Sequence, residues 1–159
     1  MMSTQNPCPA CMAGQIERKI IDALHRYCLA VDEGDEQQFV GLWTKDALID
    51  FGARYRGDPA GFFDSVRANR AATIAMSHHL ANIRVQIDGD VQRAASSCGV
   101  TAVVIPNAHS GRRPRMVRGN YHDRWLRRGD DWLIQHRRFE KVLEVDLGHG
   151  RLLPRRRSL

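Results

Sequence analysis

Between Ile16 and Val31 the apolar residues Ile16, Ile20, Leu24, Tyr27, Cys28 and Val31 recur at three- and four-residue steps. That spacing predicts an amphipathic helix of about four turns. Gly34 supplies its C-terminal stop, and Asp35 with Gln38 three residues on gives a capping box that opens a short second helix through Phe39, Leu42 and Trp43. Ala47 to Phe51 is a short apolar run bounded by turn residues, which fits a strand, and Asp58-Pro59 opens a third helix reaching about Ala72. The period then changes. Ala81, Ile83, Val85 and Ile87 alternate with Asn82, Arg84, Gln86 and Asp88, a half-buried strand closed by the turn Asp88-Gly89-Asp90. Three further runs rich in Val, Ile, Tyr, Trp and Phe follow at 94–106, 116–126 and 132–145, separated by turns at 107–113 and at Arg128-Gly129-Asp130.

Short links between long strands imply an antiparallel sheet, and helices followed by strands is the α+β pattern. The expected fold is a cone-shaped, curved antiparallel sheet packed against about three helices from the N-terminal half. The chain has 159 residues, about one domain's worth. It divides into a leader over 1–14, broken by Pro7 and Pro9, a single domain over 15–146, and a basic tail over 147–159. At 43% hydrophobic and 26% charged it can bury a sizeable core.

Charge changes the picture less than its total suggests. Lys and Arg outnumber Asp and Glu 24 to 18, but Arg151, Arg155, Arg156 and Arg157 supply four of the six excess charges. The folded body mixes both signs, so nucleic acid is not an expected partner. Arg112, Arg113, Arg115 and Arg118 flank Pro114 at a hairpin tip and read as a solvated turn or as an anion site. Cys8, Cys11, Cys28 and Cys98 read as reduced thiols, and the single CxxC of Cys8 and Cys11 has no second half to complete a zinc site. The first fourteen residues lack the pattern of a signal peptide and no long apolar window occurs, so no membrane is expected and the cytoplasm is the default location.

GxGxxG, Walker, HExxH and GxSxG motifs are all missing from the sequence. Polar residues stand instead where apolar ones are expected: Asp32 at the end of the first helix, His78 at the start of the first long strand and Arg137 in the last strand. Asp32 shares a helical face with Cys28 and Leu29, so it is either a carboxylate needing a partner near the core or a solvated residue at a helix end. His78 beside His79 reads as a base or as a structural strand residue, Arg137 as a functional group or a cover for the sheet, and Tyr27 as a donor or part of the core stripe.

Four segments decide among these. Tyr27 and Asp32 in YCLAVDEGD, His78 and Asn82 in SHHLANIRV, Gly119, Tyr121 and Asp123 in GNYHDRW, and Trp132 and Arg137 in WLIQHR together resemble the SnoaL-like branch of the nuclear transport factor 2-like superfamily, over about residues 15 to 146. The resemblance implies a cystatin-like α+β barrel. Within that branch the pattern is similar to scytalone dehydratase, bile acid 7α-dehydratase and hexachlorocyclohexane dehydrochlorinase, whose activity rests on an Asp-His dyad in a cone-shaped pocket. It puts Asp32 and His78 on the dyad, Tyr27 on a pocket tyrosine and Arg137 on a pocket arginine as the catalytic set. Trp43, Phe51, Tyr55, Phe62, Asn82 and Tyr121 are the expected substrate-binding residues. One departure concerns a tyrosine that dehydratases can carry near the end of the first strand, where this chain has Phe51 and only later Tyr55.

The implied activity is that of a cofactor-independent lyase, a dehydratase acting on a hydrophobic cyclic substrate of polyketide, steroid or aromatic type, with no metal and no cofactor. An isomerase or cyclase could use the same dyad, and a non-catalytic small-molecule binder or an assembly subunit like a ring-hydroxylating dioxygenase β chain could use the same fold. A homodimer or homotrimer paired through the open sheet is expected, because apolar residues on an uncovered sheet face would need cover.

Overall fold

The computed structural model describes residues 8–148, so half of the leader and most of the basic tail lie outside the described residues. The first helix, α1, spans Pro9–Glu33 and buries Ile16, Ile20, Leu24, Tyr27, Cys28 and Val31, the stripe its periodicity requires. It starts six residues before the expected Gln15. Proline is tolerated at a first helical position because no N–H is needed there, and the Cys8 thiol accepts the Cys11 N–H at 3.3 Å as an N-terminal cap. Gly34 ends α1 at φ +77°, and a Cβ there would lie 2.7 Å from Arg70 Cδ, so both conformation and space call for glycine.

Helix α2 (Glu36–Val40) is capped by Asp35, whose carboxylate accepts the Gln38 N–H at 2.9 Å. It stops before Leu42 and Trp43, because Trp43 is already strand. Strand β1 (Trp43–Asp50) is followed by a two-residue strand β2 (Arg56–Gly57) that the sequence pattern does not reveal. Helix α3 (Pro59–Arg70), capped by Asp58, turns Phe62, Phe63 and Val66 inward.

The remaining strands are β3 (Thr73–Ile87), β4 (Arg93–Pro106), β5 (Arg115–Arg128) and β6 (Asp131–Asp146). They form one six-stranded sheet in the order β2-β1-β6-β5-β4-β3, curved and unclosed. All neighbours are antiparallel except β1 and β6, which run parallel, a departure from the all-antiparallel expectation. The long excursion from β1 through β2, α3 and the three strands β3, β4 and β5 permits that pairing, since no hairpin joins its members.

Alternation sorts each long strand. Val100, Ala102 and Val104 of β4 and Val117, Tyr121 and Trp125 of β5 face the helices. Arg84, Ser97, Thr101, Arg118, Asn120, His122 and Arg138 line shallow grooves on the opposite face. The part of the uncovered face that these grooves occupy is polar and basic. Asn82 belongs to that outer face. It sits at φ +53° where β3 slips register against β4, and it is exposed, so its place is a β-bulge rather than the pocket where it was expected.

Candidate active site

Asp32 lies in the last turn of α1 and His78 well inside β3, and packing of helix on strand brings them together. Asp32 Oδ1 is 2.6 Å from His78 Nδ1, while Oδ2 accepts the backbone N–H of His78 at 2.8 Å. Their side chains are 16% and 10% exposed. A carboxylate offers only acceptors, so the proton between them sits on Nδ1, and the Nε2 lone pair is left free. Arg70 of α3 donates to the main-chain carbonyl of Asp32 and ties the two helices at this point. The solvated reading of Asp32 does not describe this geometry. Of its helical neighbours Cys28 is buried, whereas Leu29 is exposed.

The imidazole forms part of the wall of a cavity between the helices and the concave sheet face. Around it stand Tyr27 and Val31 from α1, Phe51 at the end of β1, Phe62 and Val66 from α3, and Tyr121 and Phe139 from β5 and β6. Thus His78, Tyr27, Phe51, Phe62 and Tyr121 lie where the sequence reading put them. The cavity encloses about 80 Å³.

Arg137 does not line the cavity. It is completely buried and donates to Asp123 through Nε at 2.7 Å and Nη2 at 2.8 Å. Its guanidinium lies 4.0 Å from the Tyr27 ring centre and 4.2 Å from that of Tyr121, a cation held between two π faces. Asp123 also accepts from Ser96, which accepts from the Trp125 indole, so the ion pair ends in a hydrogen-bond chain. The strand register explains why: Asp123 stands opposite Arg137, and Tyr121 opposite Phe139. The pocket arginine is a support behind the two tyrosines.

Burial pushes the Tyr27 hydroxyl above the ordinary phenol value, against the opposing charge of Arg137, and burial raises Tyr121 well above it. Both hydroxyls are neutral donors in the physiological range. Cys28 is likewise pushed up to about 12 by burial and Cys98 to about 11, which makes them inert core thiols.

Trp43 and Tyr55 also stand away from the cavity. Trp43 is buried beneath Tyr27, in edge contact at 6.0 Å between ring centres, alongside Phe39. The Tyr55 hydroxyl donates to the Asp58 carbonyl at 2.7 Å and fits between Gly57 and Gly61, on the far side of Phe62. Phe39 and Leu42 are core as well. The sequence reading missed Val100, Ala102, Val104, Val117 and Phe139, although their alternation marks one strand face, and it missed Arg54, which lines the cavity together with Arg115 of the hairpin-tip cluster.

Among the described residues no helix is long and apolar enough to cross a membrane. No curated protein matches the chain by sequence. Solved structures do match in fold. A provisionally assigned scytalone dehydratase from Novosphingobium aromaticivorans DSM 12444 superposes with a TM-score of 0.73 at 16% identity, covering 89% of this chain and 94% of that one. Hexachlorocyclohexane dehydrochlorinase LinA-type3 from Novosphingobium barchaimii LL02 gives 0.75 at 18%, covering 90% and 96%. A nuclear transport factor 2-like superfamily protein from Salmonella enterica serovar Typhimurium LT2 gives 0.70 at 14%, covering 87% and 99%. The SnoaL-like domain model matches residues 15–138, and with that match over most of its length the chain belongs to the SnoaL-like family within the nuclear transport factor 2-like fold.

Proposed function

We propose that the protein is a cofactor-independent lyase that removes water from a compact, hydrophobic cyclic alcohol, with His78 as the base. The observation that carries this reading is the Asp32–His78 hydrogen bond of 2.6 Å behind an imidazole that faces an apolar cavity. A binding module would have no need of a carboxylate clamped by both the ring and the backbone N–H of one histidine. The similarity in fold to a dehydrochlorinase and to a provisionally assigned dehydratase agrees with a lyase without choosing the substrate.

In this mechanism His78 Nε2 takes a proton from a carbon next to an electron-withdrawing group, and Asp32 stabilises the imidazolium that forms. The released electron pair makes the carbon–carbon double bond as the carbon–oxygen bond breaks. The departing hydroxyl takes the proton from the imidazolium and leaves as water, which returns His78 to its starting state. Tyr27, and Tyr121 beside it, donate hydrogen bonds to the oxygen on which negative charge grows, a contribution of about 3 kcal/mol for a well-placed donor. Arg137 acts through these phenols as a positioning residue, since its charge lies against their rings.

The test is incubation of wild type and His78→Gln with a set of six-membered cyclic β-hydroxy ketones, followed by product mass. The reading expects loss of water with wild type and at least about a hundredfold slower loss with the folded variant. An equally active variant would overturn it. Conversion without change of mass, dependent on His78, would assign the pair to an isomerase instead.

A further inference from the structure

The apolar cavity does not end at Phe51 and Phe139. It opens onto a larger vestibule of about 590 Å³, and Phe51, Arg54, Asn69, Arg115, Val117 and Phe139 line both spaces. The inner space is walled mostly by apolar and aromatic side chains, whereas charged side chains surround the outer one. Arg54, Arg112, Arg115 and Lys141 surround the vestibule against a single carboxylate, Glu144.

The cations are incompletely neutralised. Lys141 meets Glu144 at 2.8 Å, but Arg115 is 3.8 Å from the same carboxylate, and Arg112 donates to neutral Asn69 at 3.1 Å. The Arg54 side chain has no hydrogen-bond or ion-pair partner among the described residues, its backbone N–H donating to the Phe51 carbonyl. One carboxylate therefore serves the group, and the Lys141 hydrogen bond, with the charges of Lys141, Arg115 and Arg54 after it, holds Glu144 below the usual carboxylate value. Cations that converge on one acid at a cavity mouth have unused capacity for a second anion. Arg115 is 29% exposed and so keeps part of its strength against solvent screening.

We infer that the vestibule is an anion subsite, and that the substrate pairs a single ring, seated in the cavity against His78, with a carboxylate on a short arm held by Arg54 and Arg115. The compact inner space suits the ring, and the vestibule gives the polar end somewhere to go. This substrate class rests on the lyase reading for the identity of the reacting end, while the anion subsite stands on binding alone.

Hydrocinnamate and its uncharged amide are matched probes, equal in ring and arm and different only in charge. Titrated calorimetrically at low salt, wild type is expected to bind the carboxylate about tenfold more tightly than the amide, as charge-assisted hydrogen bonds allow. The preference should disappear in the Arg54→Gln, Arg115→Gln double variant, fall with added salt, and persist in Arg113→Gln, whose arginine pairs with Asp146 outside the vestibule. Equal binding of acid and amide by wild type, or a preference that survives the double variant, would overturn the inference. His78→Gln should keep the preference. If that variant also keeps full dehydratase turnover, the lyase reading fails while the anion subsite stands.

Discussion

A buried arginine is destabilising unless its charge and donors are met, and Arg137 meets its charge with one carboxylate and two aromatic faces while its Nη1 has no hydrogen-bond partner among the described residues. Breaking such a pair from one side strands the other charge. Asp123→Ala is therefore expected to lower stability by about 3 to 5 kcal/mol, read from urea unfolding midpoints, whereas Asp123→Leu combined with Arg137→Met should recover much of the loss. A double variant no more stable than the single would mean that the pair is held for packing rather than charge. Tyr27→Phe separates the two roles of that ring: turnover should fall about a hundredfold with little change in melting temperature. Sequence spacing left Arg137 and Asp32 open between structural and functional roles for a physical reason. The partner of each is distant in the chain, 14 residues away across a strand register for Arg137 and 46 away across a helix–strand contact for Asp32. Only resemblance supplied the second pairing before the structure did, and it put Arg137 on the wall where packing puts it behind the tyrosines.

At the scale of elements, the helices were legible because their stripes and caps are local. Asp58 caps α3 by accepting the Gly61 N–H at 3.0 Å, and that bond holds its carboxyl below the ordinary value. A folded-state value below the unfolded one means that this stabilisation is full above the unfolded carboxylate range and is lost as pH falls through the folded value. Asp58→Asn keeps an acceptor without a titrating charge, so its melting temperature should depend less on pH than wild type between neutral and about pH 2. An unchanged pH profile would remove Asp58 from the acid response. Strand limits were less legible. The start of β3 at Thr73 carries no strict alternation, because residues 75–78 are half-buried on both faces and the apolar Ile74 is exposed, and β2 is only two residues long. Gly119 is the strand residue on which the cavity wall turns: a Cβ there would lie 2.4 Å from both the Glu140 carbonyl and the Phe139 ring. Gly119→Ala should cost about 1 to 3 kcal/mol of stability and displace Phe139.

For the whole molecule, the order of helices before strands was enough to expect a curved sheet folded over helices, because each element has one apolar side and no other element to bury it against. What composition could not convey is the size of the enclosed space or the polarity of the open sheet face, since both depend on which member of each alternating pair points inward. The small cavity limits the ligand. Ala102 stands opposite His78 in register and lines the same space, so Ala102→Leu should shift stability by less than about 1.5 kcal/mol and abolish binding of ring-bearing ligands. All of this centres on one atom, the His78 Nε2 that the proposed mechanism uses as the base. Nitrogen-15 NMR of histidine-labelled protein reads its tautomer directly. The neutral ring is expected to carry its proton on Nδ1, shared with Asp32, with Nε2 bare, and Asp32→Ala should relax that preference. A neutral ring protonated on Nε2 in the wild type would contradict the base assignment.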